Sequence, residues 1–144
     1  MASELHLRVV TPDRTIIDRK VKSVSFEGVD GGYGIQPMHA PLMTAISATG
    51  TVQVTELDGN TESMFVSDGF AQVQHNVLTL VCQAGELAAE IDIDRVKAAE
   101  EAARKKMEGL DRLSEEFVKA EASLRKALAR EMLARKGSGT GRMR

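Results

Sequence analysis

In the first half of the chain, apolar and polar residues alternate with a period of two, which is typical of β-strands that bury one face. The alternating runs recur roughly every eight to twelve residues. Asp58-Gly59-Asn60, Asp68-Gly69 and His75-Asn76 are predicted to form turns between runs. Val24 and Phe26 belong to one run and are expected to face a core. This pattern predicts an all-β sandwich or barrel.

After Glu90 the period changes to three and four residues, as expected for amphipathic helices. This part contains no proline and is rich in strong helix formers. Asp92 or Asp94 is expected to cap a first helix. Gly109 is expected to interrupt the helical series, and Asp111 to cap a second helix. Many stripe positions are alanine, which buries little area, so the hairpin should be weakly held and able to move. The predicted stripes are Ile93, Val96, Ala99, Ala103, Met107 and Leu110, then Leu113, Phe117, Ala120, Leu124 and Leu128.

The two periods predict a β + α protein, in which an N-terminal antiparallel β-sandwich precedes a C-terminal antiparallel two-helix hairpin. We expect the sandwich in residues 1–85, the hairpin in residues 86–136 and a flexible glycine-rich tail in residues 137–144. The length of 144 residues allows one domain with an appendage. Because only 3% of the residues are aromatic, the core is expected to be aliphatic.

Composition excludes several classes of protein. No run reaches the roughly 18 to 20 apolar residues that a membrane span requires. Glu4, His6 and Arg8 interrupt any apolar run of the signal-peptide type, so we expect a soluble protein. The single cysteine, Cys82, excludes an internal disulfide and a cysteine-only metal cage, and it is expected to be a small core residue.

The net charge of −2 conceals a strong asymmetry. Residues 1–94 contain 5 basic and 13 acidic residues, whereas residues 117–144 contain 8 basic and 2 acidic residues. The basic end indicates either an acidic partner or a solvated helix face, and the charge pattern does not separate these interpretations. Nucleic-acid binding is a weaker alternative, because the basic end lacks interleaved aromatic residues and a docking motif.

Residues 31–46, GGYGIQPMHAPLMTAI, combine a glycine cluster with His39. A Walker loop needs a Lys and a Ser/Thr after its last glycine, and a dinucleotide fingerprint needs a following helix; neither is predicted here. Glycines that allow turns between strands are the preferred interpretation. His39 has no nucleophile or acid at useful spacing, so we expect it to bond to turn backbone, with no catalytic residue and no metal site in the chain.

Residues 34–45 resemble the Gly-x-x-Pro-Gly-His-Ala-Pro-Leu-x-Thr stretch of the epsilon subunit of F-type ATP synthases. Residues 7–12 resemble the first strand of that family, and residues 67–80 resemble its Gly-Gly-Phe-x-x-Val…Asn-x-Val-Thr-Val segment. Residues 90–92 then open an alanine-rich pair of helices, as in the family. The resemblance covers the chain except for about the last eight residues, and it implies the same sandwich-and-hairpin architecture.

The resemblance implies a non-catalytic rotor subunit that binds the gamma subunit, the c-subunit ring and the alpha/beta catalytic head. Such a subunit is peripheral on the cytoplasmic face of a bacterial plasma membrane and meets the membrane only through the complex. Its hairpin folds on the sandwich or extends along gamma, where it inhibits ATP hydrolysis. The alternative is a stand-alone module whose basic helix binds nucleic acid or an acidic protein. By resemblance, the residues that contact the c ring and gamma are Gly31, Gly32, Tyr33, Gly34, His39, Ala40, Pro41 and Leu42.

Some bacterial members bind ATP on the folded hairpin through an Ile/Leu-Asp-x-x-Arg-Ala motif and arginines on both helices. The match here is partial, because Val96 replaces the motif alanine and Ala102 stands at the first-helix arginine position. The resemblance therefore implies no required cofactor and at most a weak regulatory ATP. The residues matching the ATP site are Ile91, Asp92, Arg95, Lys126 and Arg130.

In the glycine-rich stretch shared with the family, Met38 replaces a glycine, and Tyr33 stands where some members direct an acid at the c ring.

Overall fold

The structure is a computed structural model that describes residues 3–48 and 50–140, with side chains as far as residue 135. Within these residues the chain forms eight β-strands, one 3₁₀ turn and two α-helices. The strands are β1 (Leu5–Val10), β2 (Thr15–Val21), β3 (Ser23–Gly28), β4 (Gly31–Ile35), β5 (Leu42–Ile46), β6 (Gly50–Thr55), β7 (Thr61–Gln74) and β8 (Val77–Leu87). The 3₁₀ turn is Ala88–Glu90, and the helices are α1 (Ile93–Met107) and α2 (Glu115–Thr140).

The strands form a continuous sheet in the order β2-β1-β8-β7-β5-β3-β4, and β6 pairs with both β3 and β7. Among the described strands, every pairing is antiparallel except the parallel pairing of β1 with β8. β7 pairs with β6 through its first half and with β5 through its second, so this long strand is shared between the two parts of the sandwich that contain β6 and β5. The predicted fold class, an antiparallel β-sandwich followed by a two-helix hairpin, is confirmed, with the parallel β1–β8 pair as the departure from a purely antiparallel sheet.

The sandwich core is largely aliphatic, and in β1, β3, β6 and β8 it is built from alternate residues, as the period of two predicted. In β7 the four consecutive residues 64–67 are all buried. Val24 and Phe26 are buried in the predicted orientation. Cys82 is also buried, and burial raises the pKa of its thiol to about 11, so the thiol stays protonated at neutral pH. The core residues without exposed surface are Leu5, Leu7, Val9, Val21, Ile35, Val52, Val54, Met64, Val66, Leu78 and Leu80.

The predicted turn at Asp68-Gly69 is wrong, because both residues lie inside β7. Asp68 has a left-handed φ of 52°, a region that Asp tolerates better than most residues, and β7 changes its partner strand at this point. A Cβ atom on Gly69 would lie 2.0 Å from the Val81 carbonyl oxygen. Gly69 therefore permits a close approach of β7 to β8 instead of forming a turn.

Side-chain caps fix the ends of the hairpin helices. The Asp92 carboxylate accepts hydrogen bonds from the backbone N–H groups of Asp94 and Arg95 at 3.0 and 3.3 Å, so Asp92 is the cap of α1. The expected cap of α2 is corrected by three residues. Ser114 Oγ accepts from the Phe117 N–H at 3.1 Å, so Ser114, not Asp111, caps α2. Asp111 instead accepts from the Leu113 N–H within the connecting turn.

The buried seam between α1 and α2 differs from the predicted stripes. Ala99 is exposed and its neighbour Glu100 is buried, while Leu113 precedes α2 and is 91% exposed. Because alanine occupies several faces of each helix, spacing alone did not select the buried face. Four of the seven residues that are buried in the two helices are alanines, whose side chains bury little apolar area. The seven residues are Val96, Glu100, Ala103, Ala120, Ala127, Leu133 and Ala134.

The described chain divides into two compact units between Leu87 and Ala88, two residues after the predicted end of the sandwich. The backbone of α2 continues as helix to Thr140, whereas the sequence predicted a flexible tail from residue 137. Extending an existing helix requires no new nucleus, so glycines are tolerated at its end. Residues 141–144 of the predicted tail lie outside the described residues.

Candidate partner-binding surface

The glycine cluster forms the edge strand β4, which pairs with β3 alone among the described strands. No atom lies within 4 Å of a Cβ atom built on Gly31, Gly32 or Gly34. Gly31 also has φ +134°, which L side chains rarely adopt. The cluster lies between strands and opens no helix, so it presents exposed backbone at a sheet edge instead of cradling a phosphate.

Tyr33, the side chain within this cluster, folds back onto the sandwich. Its ring stacks on Phe26 with a centroid separation of 5.4 Å, and its hydroxyl donates to the Asp30 carboxylate at 2.9 Å. A Cβ atom on Gly28 would lie 2.7 Å from the Tyr33 ring, so this glycine makes room for the stack. The acidic group at this end of β4 is therefore Asp30, which Tyr33 holds in place.

We call residues 36–41 the β4–β5 loop. It contains three more of the predicted contact residues, His39, Ala40 and Pro41, and the fourth, Leu42, begins β5. The N–H of His39 donates to the Gln36 carbonyl oxygen at 3.2 Å, and His39 Nδ1 lies 2.6 Å from the Ala40 carbonyl oxygen. His39 thus bonds to turn backbone, as expected. Ala40 and Pro41 are exposed, whereas Leu42 is partly buried against the core.

Met38 lies at the tip of the β4–β5 loop with φ +65°, the left-handed region that favours glycine. Its side chain is 67% exposed, so the conformation is not set by side-chain packing. The Met38 N–H instead donates to Asn76 Oδ1 at 2.8 Å. This hydrogen bond fixes the loop to the turn between β7 and β8.

Asn76, which was predicted to lie in a turn and is the asparagine of the segment resembling the family's Asn-x-Val-Thr-Val, is a positioning residue. Its Nδ2 donates to the Glu4 carbonyl oxygen at 2.8 Å, and its own carbonyl accepts from the His6 N–H at 3.2 Å. Asn76 therefore joins the start of β1, the β7–β8 turn and Met38 of the β4–β5 loop. Its φ of 62° is left-handed, and Asn tolerates this region better than most residues.

A row of apolar side chains crosses the outer face of the sheet. Ala45 is paired with Phe70, Phe70 with Val81, and Val81 with Val10, so the row spans β5, β7, β8 and β1. Phe70 and Val81 are 42% and 37% exposed, and Met43, which extends the row along β5, is 62% exposed. We call these five residues the outer apolar row. Contiguous exposed apolar surface of this kind indicates a protein-binding site.

The sequence contained an overlooked signal for the outer apolar row. Strict alternation fails where two or more apolar residues follow one another, as in Val9-Val10, Phe70-Ala71 and Leu80-Val81-Cys82. In each pair or triplet, one residue points to the core and its neighbour must point outward. The extra apolar residue marks the outer surface.

Three of the residues that match the family's ATP-binding motif, Ile91, Asp92 and Arg95, lie at the start of α1. Ile91 is buried, with 8% of its surface exposed. The Asp92 carboxylate is engaged as the cap of α1, and Arg95 is exposed on the first turn. Capping is thus the role that the structure gives to Asp92.

Lys126 and Arg130 lie on α2, and both already interact with other groups of the chain. Arg95 lies on α1, so the three cations of the motif are divided between the two helices of the hairpin.

Known proteins are similar in sequence to this chain. The family model of the beta-sandwich domain of the ATP synthase delta/epsilon chain matches residues 4–88. The ATP synthase epsilon chain of Nitratidesulfovibrio vulgaris is 35% identical over 130 residues, which cover 90% of this chain and 95% of the relative. The chain belongs to the ATP synthase epsilon chain family. Another epsilon chain, from Caldanaerobacter subterraneus, is 36% identical over 94% of this chain and 97% of its own length.

Solved structures share the epsilon-chain fold. A chain of the Euglena gracilis mitochondrial ATP synthase, in a structure of OSCP, F1 and the c-ring, matches with a TM-score of 0.78 and 20% identity over 92% of this chain and 82% of that chain. A chain from the central stalk and c-ring of the Tetrahymena thermophila enzyme matches with a TM-score of 0.59 and 12% identity, over 88% and 95% of the two chains. At these identities the likeness concerns the fold.

Two further observations concern the described part of this epsilon chain. Neither of its helices is long and apolar enough to cross a membrane. The described residues contain no group of three His, Cys, Asp or Glu side chains that could hold a metal ion.

Proposed function

We propose that this epsilon chain is a non-catalytic rotor subunit that couples rotation of the c ring to the catalytic head of a bacterial ATP synthase. The observation that carries the proposal is its identity of 35–36% with bacterial epsilon chains over 90% or more of its length. As such a subunit it is peripheral at the cytoplasmic face of the plasma membrane and is held there through the complex. Family membership favours this role over a stand-alone module that binds nucleic acid.

We propose that β4 and the β4–β5 loop contact the c ring and gamma. The exposed edge of β4 and its three open glycines allow close approach of a partner backbone. Asn76 and the stacked Tyr33 hold this region in one conformation, so binding does not require it to become ordered.

We propose that the outer apolar row binds gamma, because the row is a contiguous exposed apolar strip on a rigid sheet. Phe70→Asp should weaken binding of the full chain to the isolated gamma–c-ring complex at least about tenfold, as expected for an aromatic anchor. Leu57→Asp is the matched control, since Leu57 is 51% exposed in the β6–β7 turn outside the row. Equal affinity of the two variants would place the gamma contact elsewhere.

We propose that the hairpin regulates ATP hydrolysis. Its seam is built largely from alanine and includes a buried glutamate, so little free energy holds the helices together. Two hairpin arrangements that differ by only a few kcal/mol are what a switch requires. The basic charge after residue 116 provides an attraction for acidic segments of the catalytic head in the extended arrangement.

Truncation after Leu87 tests the regulatory part of this proposal. The sandwich forms its own core and its last strand ends at Leu87, so the cut leaves every strand complete. The complex reconstituted with the truncated chain should hydrolyse ATP faster than the complex with the full chain. Equal rates would remove the inhibitory role and leave the coupling role standing.

For a regulatory nucleotide, we propose weak ATP binding on the hairpin through Ile91, Asp92, Arg95, Lys126 and Arg130. Asp92 and Arg95 match the family motif, and the two α2 cations provide phosphate partners. Calorimetric titration of the full chain with ATP should give heat at millimolar concentration that Arg95→Ala removes. Absence of heat at that concentration would exclude the site.

A further inference from the structure

The described strands leave one edge of β4 unpaired, and the register of the sheet shows which residues direct their backbone groups there. Gly32 lies opposite Glu27 in the antiparallel pair of β4 with β3. The Glu27 carbonyl oxygen accepts from the N–H of Ser47, which follows β5, at 3.0 Å, so it points away from β4. Residues directly opposite each other in an antiparallel pair exchange both of their hydrogen bonds or neither. The N–H and C=O groups of Gly32 therefore point out of the sheet at the free edge of β4.

Gly34 has the same orientation as Gly32, because the direction of the backbone groups alternates along a strand. Tyr33 and Ile35 direct their backbone groups to β3 instead. Native proteins protect an edge strand with a lysine, a proline, a bulge or a covering segment. At this edge both outward-directed residues are exposed glycines, and a Cβ atom built on either would have no atom within 4 Å. Their N–H and C=O groups are therefore accessible to an added strand.

A cavity of about 300 Å³ lies beside this edge on the outer face of the sheet. Ser25 points to this face, because it is the exposed residue between two buried residues of β3. Gly34 lies opposite Ser25 and also lines the cavity, so an added strand would place a side chain over the cavity at this level. Hydroxyl, amide and imidazole groups in the lining can pair with a polar side chain. The polar lining residues are Ser23, Ser25, Thr55, Gln36 and His39.

The other end of the β4 edge is acidic. Glu27 is exposed on the same face as Ser25 and lies two residues further along β3. Asp30 lies in the turn between β3 and β4, where its carboxylate accepts from the Tyr33 hydroxyl. Residues 23–94 contain no lysine and no arginine, so β3, β4, β5 and β6 offer these carboxylates no cation. A basic side chain of a partner would complement them.

We propose that the free edge of β4 binds an extended segment of a partner subunit as an added β-strand. The segment carries a polar, uncharged side chain over the cavity and a basic side chain over Glu27. These two side chains are two residues apart, because that is the spacing of neighbouring side chains on one face of a strand. Backbone hydrogen bonds provide affinity, and the two side chains provide specificity. This inference rests on the proposal that β4 contacts gamma and the c ring, and it specifies how the contact is made.

Hydrogen exchange of single backbone amides tests the proposal in the wild-type chain. In the free chain, the amides of Gly32 and Gly34 should exchange at least about tenfold faster than those of Tyr33 and Ile35 after correction for intrinsic rates, because only the latter pair with β3. In the complex with gamma and the c ring, exchange at Gly32 and Gly34 should slow at least about tenfold. Equal rates along β4 in the free chain, or unchanged rates at the two glycines in the complex, would overturn the proposal. Protection of both glycines in the chain alone at high concentration would assign the edge to a second copy, and would also overturn it.

Gly34→Pro removes one outward N–H group and no hydrogen bond of the described sheet. Proline is tolerated on an edge strand when its nitrogen faces solvent. Gly34→Ala is the matched variant, because it adds a side chain and keeps the N–H group. The proline variant should bind the gamma–c-ring complex about tenfold more weakly than the alanine variant, because a carbonyl of the partner strand loses its donor. Tyr33 fluorescence verifies that both variants are folded.

Glu27→Lys tests the basic side chain of the partner. This reversal of charge should weaken binding about tenfold at low salt, and the loss should decrease as salt is added. Asp13→Lys is the control, since Asp13 is exposed in the β1–β2 turn and the substitution changes the net charge equally. The control should retain the wild-type affinity within about twofold. Equal affinities of the two variants would overturn the assignment of a basic partner.

Gly32→Trp distinguishes failure of this inference from failure of the proposed contact surface. Gly32 does not have a positive φ, so a side chain is allowed there, and the indole blocks the outer face while the N–H group is kept. Weak binding of Gly32→Trp together with equal binding of Gly34→Pro and Gly34→Ala would overturn strand addition and leave β4 as a contact surface. Wild-type binding of all three variants would overturn both.

Discussion

Substitution of Asn76 tests the account of the β4–β5 loop. The Asn76 side chain makes two hydrogen bonds of 2.8 Å, one from the Met38 N–H and one to the Glu4 carbonyl oxygen. Each is worth about 1 kcal/mol net, so Asn76→Gly should lower the free energy of unfolding of the sandwich by about 2 kcal/mol. Asn76→Ala should cost about 1 kcal/mol more, because alanine is strained at the left-handed φ of 62° while glycine is not.

Asn76→Asp separates the two hydrogen bonds. A carboxylate can still accept from the Met38 N–H, but it cannot donate to the Glu4 carbonyl oxygen, which it would repel. This variant should therefore be destabilised at neutral pH. The loss should decrease as the pH falls and the carboxyl group becomes protonated, because a protonated carboxyl group regains a donor.

Tyrosine fluorescence allows the sandwich to be followed alone. The chain has one tyrosine and no tryptophan, and Tyr33 stacks on Phe26 within the sandwich. Urea unfolding monitored at this residue reports the sandwich without a contribution from the hairpin, which avoids treating two units as a single two-state system. Equal stability of Asn76→Ala and Asn76→Gly would refute the backbone argument. Wild-type stability of all three variants would refute the positioning role.

Two further predictions use the same fluorescence measurement. Gly69→Ala should destabilise the sandwich by about 3 kcal/mol or more, because the added methyl group would lie 2.0 Å from the Val81 carbonyl oxygen. The control is Gly32→Ala, since no atom of the neighbouring residues lies within 4 Å of a Cβ atom built there. This control should change the free energy of unfolding by less than about 0.5 kcal/mol. A near-neutral Gly69→Ala would show that β7 and β8 can separate easily. Met38→Gly should stabilise the sandwich by up to about 1 kcal/mol, because removal of left-handed strain outweighs the added freedom of the unfolded chain. A loss of stability would contradict this, and would mean that the Met38 side chain stabilises the loop although it is 67% exposed.

Period-two alternation was sufficient to predict the sandwich, because each strand buries only one face. Val24 and Phe26 show this directly, since both are buried as expected. Asp68-Gly69 could not be interpreted correctly from local sequence. Gly69 is required because Val81 on a neighbouring strand leaves no room for a Cβ atom, and turn propensity carries no information about that neighbour.

The helices were predictable and their seam was not. Composition identified both helices and Asp92 as a candidate cap. However, alanine is compatible with every face, so the pattern selected Ala99 where the structure buries Glu100. A buried glutamate is outside what hydrophobic periodicity can anticipate, because the pattern assigns buried positions to apolar residues.

The partner-binding surface was predictable in part. The resemblance pointed to residues 31–34 and 39–42, and the structure brings them together as an edge strand and its following loop. Asn76 was not found as part of this surface, since its hydrogen bond to Met38 spans 38 residues of sequence.

The central claim is that this epsilon chain couples rotation to catalysis, and ATP-driven proton pumping tests it most directly. Membrane vesicles would carry the synthase depleted of its epsilon chain, and pumping would be compared before and after addition of the full chain. The account predicts that pumping per ATP hydrolysed rises when the chain is added, and that Phe70→Asp restores less of it than Leu57→Asp. Equal pumping per ATP with and without the chain would contradict the account.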